Sequence, residues 1–192
     1  MLKKGLVLLF VLLIVIFTLV KGAELFKINI VEGDATKFVL EDLRSRYPNA
    51  DIEIISTKEL TNEFGNRYFE IKAKVTKSPH TPCPERVHIF YNYPVQNFVP
   101  QPQEIITSNC TVCYEPGCVL IFPEEAVIAS HTFPGTELVS GYISNNPNTL
   151  HSVSETKVGW RVVWDSPNAS YYYVVEILKD NKVTVTKIEK ER

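Results

Sequence analysis

The chain has 192 residues and a net charge of −2; 45% of its residues are hydrophobic and 11% aromatic. That apolar content excludes a disordered chain. The lack of a basic excess excludes the electrostatic footprint of a nucleic-acid binder, so no nucleic-acid partner is expected.

Lys3 and Lys4 precede an apolar run from Gly5 to Val20, closed by Lys21-Gly22-Ala23. This is the layout of a charged n-region, a hydrophobic h-region and a small-residue exit. The run of about sixteen residues lies between a usual h-region and the roughly 20 residues that span a bilayer. Two outcomes follow: a signal peptide removed after Gly22, or an anchor that keeps residues 5–20 in a membrane. In both, the Lys pair stays on the cytoplasmic side, and everything after Ala23 is expected to be extracytoplasmic, secreted or tethered.

Four segments are expected from the run onward: the leader at 1–23, a first α+β unit at 24–93, a connector at 94–118 and a second α+β unit at 119–192. Leu25 to Val31 alternates as a short strand. Asp34 is the expected N-cap of a helix from Ala35 to about Tyr47, with Ala35, Phe38, Val39, Leu43 and Tyr47 on one stripe. Pro48-Asn49 stops it. Asp51 to Ser56 reads as a strand. From Arg67 to Lys77, Phe69, Ile71, Ala73 and Val75 point one way, and Tyr68, Glu70, Lys72, Lys74 and Thr76 the other. After a Pro-rich turn, Val87, Ile89, Tyr91 and Tyr93 lie on one side of a second alternating run and Arg86, His88 and Asn92 on the other. The two runs should pair as an antiparallel hairpin.

Pro94, Pro100, Pro102 and Pro116 interrupt any regular ladder, which marks the connector. Pro123-Glu124-Glu125 then opens a helix with Pro in the first turn and acids placed for the macrodipole. Phe122, Ala126, Ala129 and Phe133 share one face. Pro134-Gly135 breaks the helix, and Thr136 is the expected cap of Glu137 to Ser144. The last third is sheet: the Trp160 to Trp164 run, a central strand from Tyr171 to Leu178, a hairpin loop at Lys179-Asp180-Asn181 and a return from Lys182 to Ile188.

The two halves therefore repeat one order of parts, with a period near 100 residues that is too long for a solenoid. Tyr47-Pro48-Asn49 answers to Asn146-Pro147-Asn148, and Arg67 to Ile71 answers to Gly159 to Val163. A helix ending at Pro-Asn, then an antiparallel sheet with an aromatic early in a strand and a last hairpin turning at Asp-Asn, resembles the PepSY and cystatin-like group of extracytoplasmic domains. The resemblance is best over Asn146 to Glu189 and looser over Asp34 to Tyr93. It implies a domain that binds or shields another protein, with no chemistry of its own. The broken second helix departs from that pattern. So does the absence of a Gln-Val-Val-Ala-Gly loop of the kind inhibitory cystatins use, and protease inhibition is not expected.

Cys83, Cys110, Cys113 and Cys118 form the one constellation with possible chemistry. An even number in an exported chain favours two disulfides. A bond between Cys110 and Cys113, three residues apart, is awkward in ordinary geometry. Cys83–Cys110 with Cys113–Cys118, and Cys83–Cys113 with Cys110–Cys118, both remain. The alternative is a metal or thiol-redox centre on the four cysteines with His80. Trp160, Trp164 and Tyr172 are candidates for an aromatic binding surface, weighed against a plain core role. Asn109 and Asn168 open glycosylation sequons. No nucleophile motif is present. The sequence thus reads as two tandem cystatin/PepSY-like α+β units, disulfide-stapled and without a cofactor. The expected partner is another extracytoplasmic protein or peptide.

Overall fold

The structure is a computed structural model and describes residues 12–18, 31–95, 102–115 and 118–191. Within them the chain is α+β, with four helices and two four-stranded antiparallel sheets. Residues 12–18 are helical (α1); the rest of the apolar run and nearly all of the Leu25 to Val31 strand lie outside the described residues. Among the described residues, no helix is long and apolar enough to cross a membrane.

The first unit is one helix on one sheet. Helix α2 spans Glu32–Arg46 and buries Ala35, Val39 and Leu43, the i, i+4, i+8 positions of a single stripe. That stripe packs on Phe69, Ile71, Ala73, Val75 and Ile89. The helix starts three residues earlier than expected. Asp34 is not its cap: Val31 is the N-cap and makes no side-chain capping bond. Glu32 and Asp34 instead lie in the first turn, and Arg44 and Arg46 in the last, where both signs complement the helix dipole.

Sheet order here is β1-β2-β3-β4, with β1 at Asp51–Thr61, β2 at Arg67–Lys77, β3 at Glu85–Tyr93 and β4 at Gln103–Ile105. Strand β1 runs five residues past the expected Ser56. Its polar end has no apolar alternation to betray it and is held by pairing, with Leu60 opposite Tyr68 and Thr61 opposite Arg67. Strand β4 falls inside the expected connector and pairs Gln103, Glu104 and Ile105 with β3.

The second unit repeats the sheet order, β5-β6-β7-β8, with strands at Leu150–Thr156, Gly159–Asp165, Tyr171–Leu178 and Val183–Glu189. Its helical layer is two pieces, α3 at Pro123–Thr132 and α4 at Glu137–Asn145. Their core joins Ala126, Ala129, Phe133, Val139 and Tyr142 to Val162, Trp164, Tyr173, Val175 and Ile177. Tyr142 is fixed at its tip, donating to the Tyr171 carbonyl and accepting from Ser166 N–H. Thr136 precedes α4 as expected, but its hydroxyl donates back to the Phe133 carbonyl rather than capping the helix. Gly159 opens β6 at φ +152°, and a Cβ there would strike the Ile177 carbonyl on β7, so only glycine fits.

Helix α3 is buried on more than the face turned to its own sheet: Glu124, Val127, Ile128 and Ser130 are buried along with Ala126 and Ala129. The first turn of α3 lies on the second face of the first sheet. Thr76, expected on the wet face of β2, is buried there, as are Arg86 and His88 of β3. The β3 alternation is as expected, but its second face is covered by the other unit. Along the line through the seam the order is α2, first sheet, the first turn of α3 and then the second sheet.

Candidate functional site

The seam between the units is a chain of polar side chains. Thr76 Oγ1 donates to Glu124 Oε1 at 2.7 Å, and Arg86 Nη1 donates to Glu124 Oε2 at 2.8 Å. Arg86 Nε reaches His88 Nε2 at 3.0 Å, His88 Nδ1 meets Glu104 Oε2 at 3.0 Å, and Lys72 Nζ closes on the same oxygen at 2.9 Å. Arg86 has only donors, so His88 Nε2 accepts and the proton of the neutral ring sits on Nδ1, facing Glu104. Phe122 covers the group, with the Arg86 guanidinium 3.9 Å from its ring centre and His88 edge-on at 5.3 Å.

These residues arrive from four elements. Arg86 and His88 share one face of β3 by the two-residue period, Thr76 lies opposite Arg86 on β2, and Glu104 lies opposite His88 on β4. Glu124 takes the first turn of α3, while Glu125 accepts from the Ile121 and Phe122 N–H groups. The expected macrodipole pair is therefore divided: Glu125 caps the helix, and Glu124 joins the units. Burial works to raise the Glu124 carboxyl, but the bonds from Arg86 and Thr76 outweigh it and hold the carboxyl below its ordinary value. Burial pushes His88 down, and the charges of Arg86 and Lys72 push the same way against its bond to Glu104.

A second group of histidines lies further along the seam. His131 on α3 shares its Nε2 with the Pro82 carbonyl at 2.8 Å, beside Cys110 Sγ at 3.9 Å. His131 meets Trp164 edge-on and His151 meets it tilted, with ring centres 5.6 and 5.2 Å away. Burial lowers both their pKa values. For His151 the neighbouring His80 and His131 add to that effect, and its Nδ1 is buried without a hydrogen-bond partner among the described residues.

The disulfides are Cys83–Cys110 and Cys113–Cys118, with Cα atoms 4.8 and 5.9 Å apart. The first ties the β2–β3 loop to the segment after β4. That segment is also anchored by Thr107, which accepts from Arg86 N–H and donates to the Pro84 carbonyl. The second closes a short loop whose Cys118 carbonyl accepts from Asn181 in the β7–β8 hairpin. The connector thus grips both units. His131, not His80, is the histidine drawn to the Cys83 and Cys110 sulfurs, and Cys113 and Cys118 stand outside that group. With both sulfurs in a disulfide, the group offers a cation only the His131 nitrogen, which the Pro82 carbonyl already engages. His80 is exposed on the loop.

The aromatic candidates separate. Trp164 is wholly buried and donates to Ser130 Oγ at 2.8 Å, so it belongs to the core and not to a binding surface. Trp160 is half-buried and donates to the Leu120 carbonyl. Tyr172 is half-buried, opposite Ile188. Asn109 and Asn168 are both exposed.

The most exposed aromatic among the described residues is one that periodicity did not single out. Phe64 is 86% exposed at the tip of the β1–β2 hairpin. Its loop is built to hold shape: Asn62 Oδ1 accepts from the N–H groups of Phe64 and Asn66, and Gly65 takes φ +77°. Pairing of β2 with β3 stops at Phe69 opposite Tyr93, so the pairs Leu60 with Tyr68 and Thr61 with Arg67 project beyond the third strand as an arm. An Arg67–Glu59 ion pair braces it. The one local signal was an Asn-Glu-Phe-Gly-Asn turn carrying a large apolar residue.

Comparison of the chain with family models, with curated proteins and with solved structures returns no match.

Proposed function

We propose that this chain is a non-enzymatic extracytoplasmic module, built of cystatin/PepSY-like units and either exported or held at a membrane by residues 5–20. Its function is to bind a protein or peptide through the β1–β2 arm. Phe64 carries the reading: a large aromatic side chain presented to solvent on a hydrogen-bonded loop. Such an anchor contributes contact area to a partner's pocket with little further ordering to lose. Two disulfides in a chain led by an export-type segment support an oxidising compartment.

The test is site-specific photocrosslinking in the native host, with the reactive residue at position 64 or, as control, at the exposed Thr184 of the second sheet. A discrete adduct from position 64 alone supports the arm as the contact. Equal adducts from both positions, or none from 64, overturn it. Intact mass with thiol labelling on the same material tests the other half. Four blocked cysteines agree with a stapled binding module, whereas labelled thiols or a bound metal would favour a redox or metal centre.

A further inference from the structure

All four histidines of the chain lie along the seam. His88 is on the first sheet under Phe122, His131 is on α3 against Pro82, and His151 is on β5 with His80 of the loop beside it. We propose that the seam is an acid-operated joint, closed while His88, His131 and His151 are neutral and opened by their protonation, with both units still folded. This inference is independent of the binding reading.

The geometry requires the neutral rings. A proton added to His88 goes on Nε2, which faces the Arg86 N–H at 3.0 Å. Arg86 cannot turn its donors into acceptors. The remaining charges around His88 are Lys74, its cross-strand partner on β2, Lys72 on β2, Glu104 on β4, and Glu124 on α3 beyond Arg86. Lys74 is occupied by Asp51 and Glu53 of β1. Glu104 already takes Lys72 and the Nδ1 proton, so an added charge on the ring meets two cations and one shared carboxylate.

Around His131 lie the Pro82 carbonyl, Cys110 and Trp164, with His151 the nearest titratable group beyond. Around His151 lie His80, His131, Trp164 and the Pro79 carbonyl. No carboxylate is in hydrogen-bond contact with either ring among the described residues, and a second proton on His151 would sit on the buried Nδ1. The three protonations therefore act together against one interface. The first unit's core lies on the other face of its sheet from His88, and the second unit's core meets the histidines only at Trp164, so the bulk of each core has no reason to respond.

Hydrogen exchange of the full chain, followed by mass spectrometry at pH 7.5 and pH 5.0 and corrected for the intrinsic pH dependence, tests this. Seam peptides covering residues 84–90, 103–110 and 121–125 should exchange faster by about tenfold or more at pH 5.0, while 171–178 and 35–45 keep their protection. Unchanged seam protection overturns the proposal. Loss of protection in the cores together with the seam overturns it too, because that is global unfolding. Two variants, each checked for folding by circular dichroism at pH 7.5, assign the effect. H88Q keeps an acceptor and a donor but does not titrate, and H151F fills the space beside Trp164 without a titratable group. Either should weaken the acid response, and a wild-type response in both would overturn the role of the histidines.

Discussion

The first sheet is covered on its two faces by two helices that hold on in different ways. Helix α2 presents Ala35, Val39 and Leu43 to small and medium apolar side chains, an interface set by shape and area that is nearly indifferent to pH. Helix α3 reaches the opposite face through Glu124, Arg86, His88 and Thr76, an interface set by direction and protonation. The first kind builds a unit, and the second joins units. A buried ion pair need not add net stability over an apolar replacement, but it enforces one register between the surfaces that carry it.

That contrast breaks most sharply at Glu124. E124L leaves Arg86 buried and unpaired, and should lower unfolding free energy by about 3–5 kcal/mol. In the double variant R86M/E124L the uncompensated charge is gone, and much of that loss should return. Denaturant melts of the two, fitted with a common slope, decide it: a double variant as unstable as E124L would mean that the pair, and not merely its neutrality, is required. The disulfides give the next step down. Closing 27 residues of separation restricts the unfolded chain more than closing five. The chain-entropy relation gives about 3.6 kcal/mol for C83S/C110S against about 2.2 for C113S/C118S. Thermal unfolding of the two double variants should rank in that order.

Acid sharpens the same contrast in two stages. His88, His131 and His151 each have a folded pKa below the ordinary value of 6.5. The unfolded chain therefore binds more protons, and stability falls as pH drops below about 6.5 until the folded values are passed. Glu124 is depressed from 4.5; its stabilisation is intact above that pH and is lost only as pH falls further, through its folded value. A stability curve against pH should show a first decline between 6.5 and 4.5 that H88Q and H151F reduce, and a second below 4.5 that E124Q reduces. A single decline confined below 4.5 would leave the histidines with no part in it.

Much of the architecture was legible because it repeats short-range rules. The alternation in β2, β3 and β6, the two-faced apolar run of β7 and the Pro-Asn stops after α2 and α4 place the sheets and the helices without reference to one another. The even cysteine count anticipated disulfides, but Cys83–Cys110 and Cys113–Cys118 were distinguishable from the other connectivity only in three dimensions. Thr76 was read on the correct face of β2 and assigned to water, and Arg86 and His88 were placed on one side of β3 with nothing to say what lay against it. Nothing in a strand's own sequence tells whether water or a second unit covers its polar side. Glu124 and Glu125 were indistinguishable in sequence for the same reason, since the first helical turn favours both and only the neighbour on the first sheet separates them. The three residues of β4 and the polar end of β1 are strands because a partner strand is there, a cause that local pattern does not contain.

The smallest effect expected on stability belongs to the residue assigned the largest effect on binding. Phe64 is 86% exposed, and its loop is held by Asn62 and by the φ of Gly65 rather than by its own ring. F64S should therefore change unfolding free energy by no more than about 0.5 kcal/mol, the range of an exposed site with no special role. It should nonetheless lower crosslinking from a reactive residue moved to Glu63, one position along the same tip. The converse change, N62A, removes the acceptor that shapes the loop and leaves the ring in place. If presentation of the aromatic matters, and not hydrophobicity alone, N62A should weaken the crosslink as well, with Phe64 present. A weakened crosslink in F64S with full retention in N62A would make the arm a flexible apolar contact. Loss in both, at near-unchanged stability for F64S, would make the hairpin tip a formed recognition element.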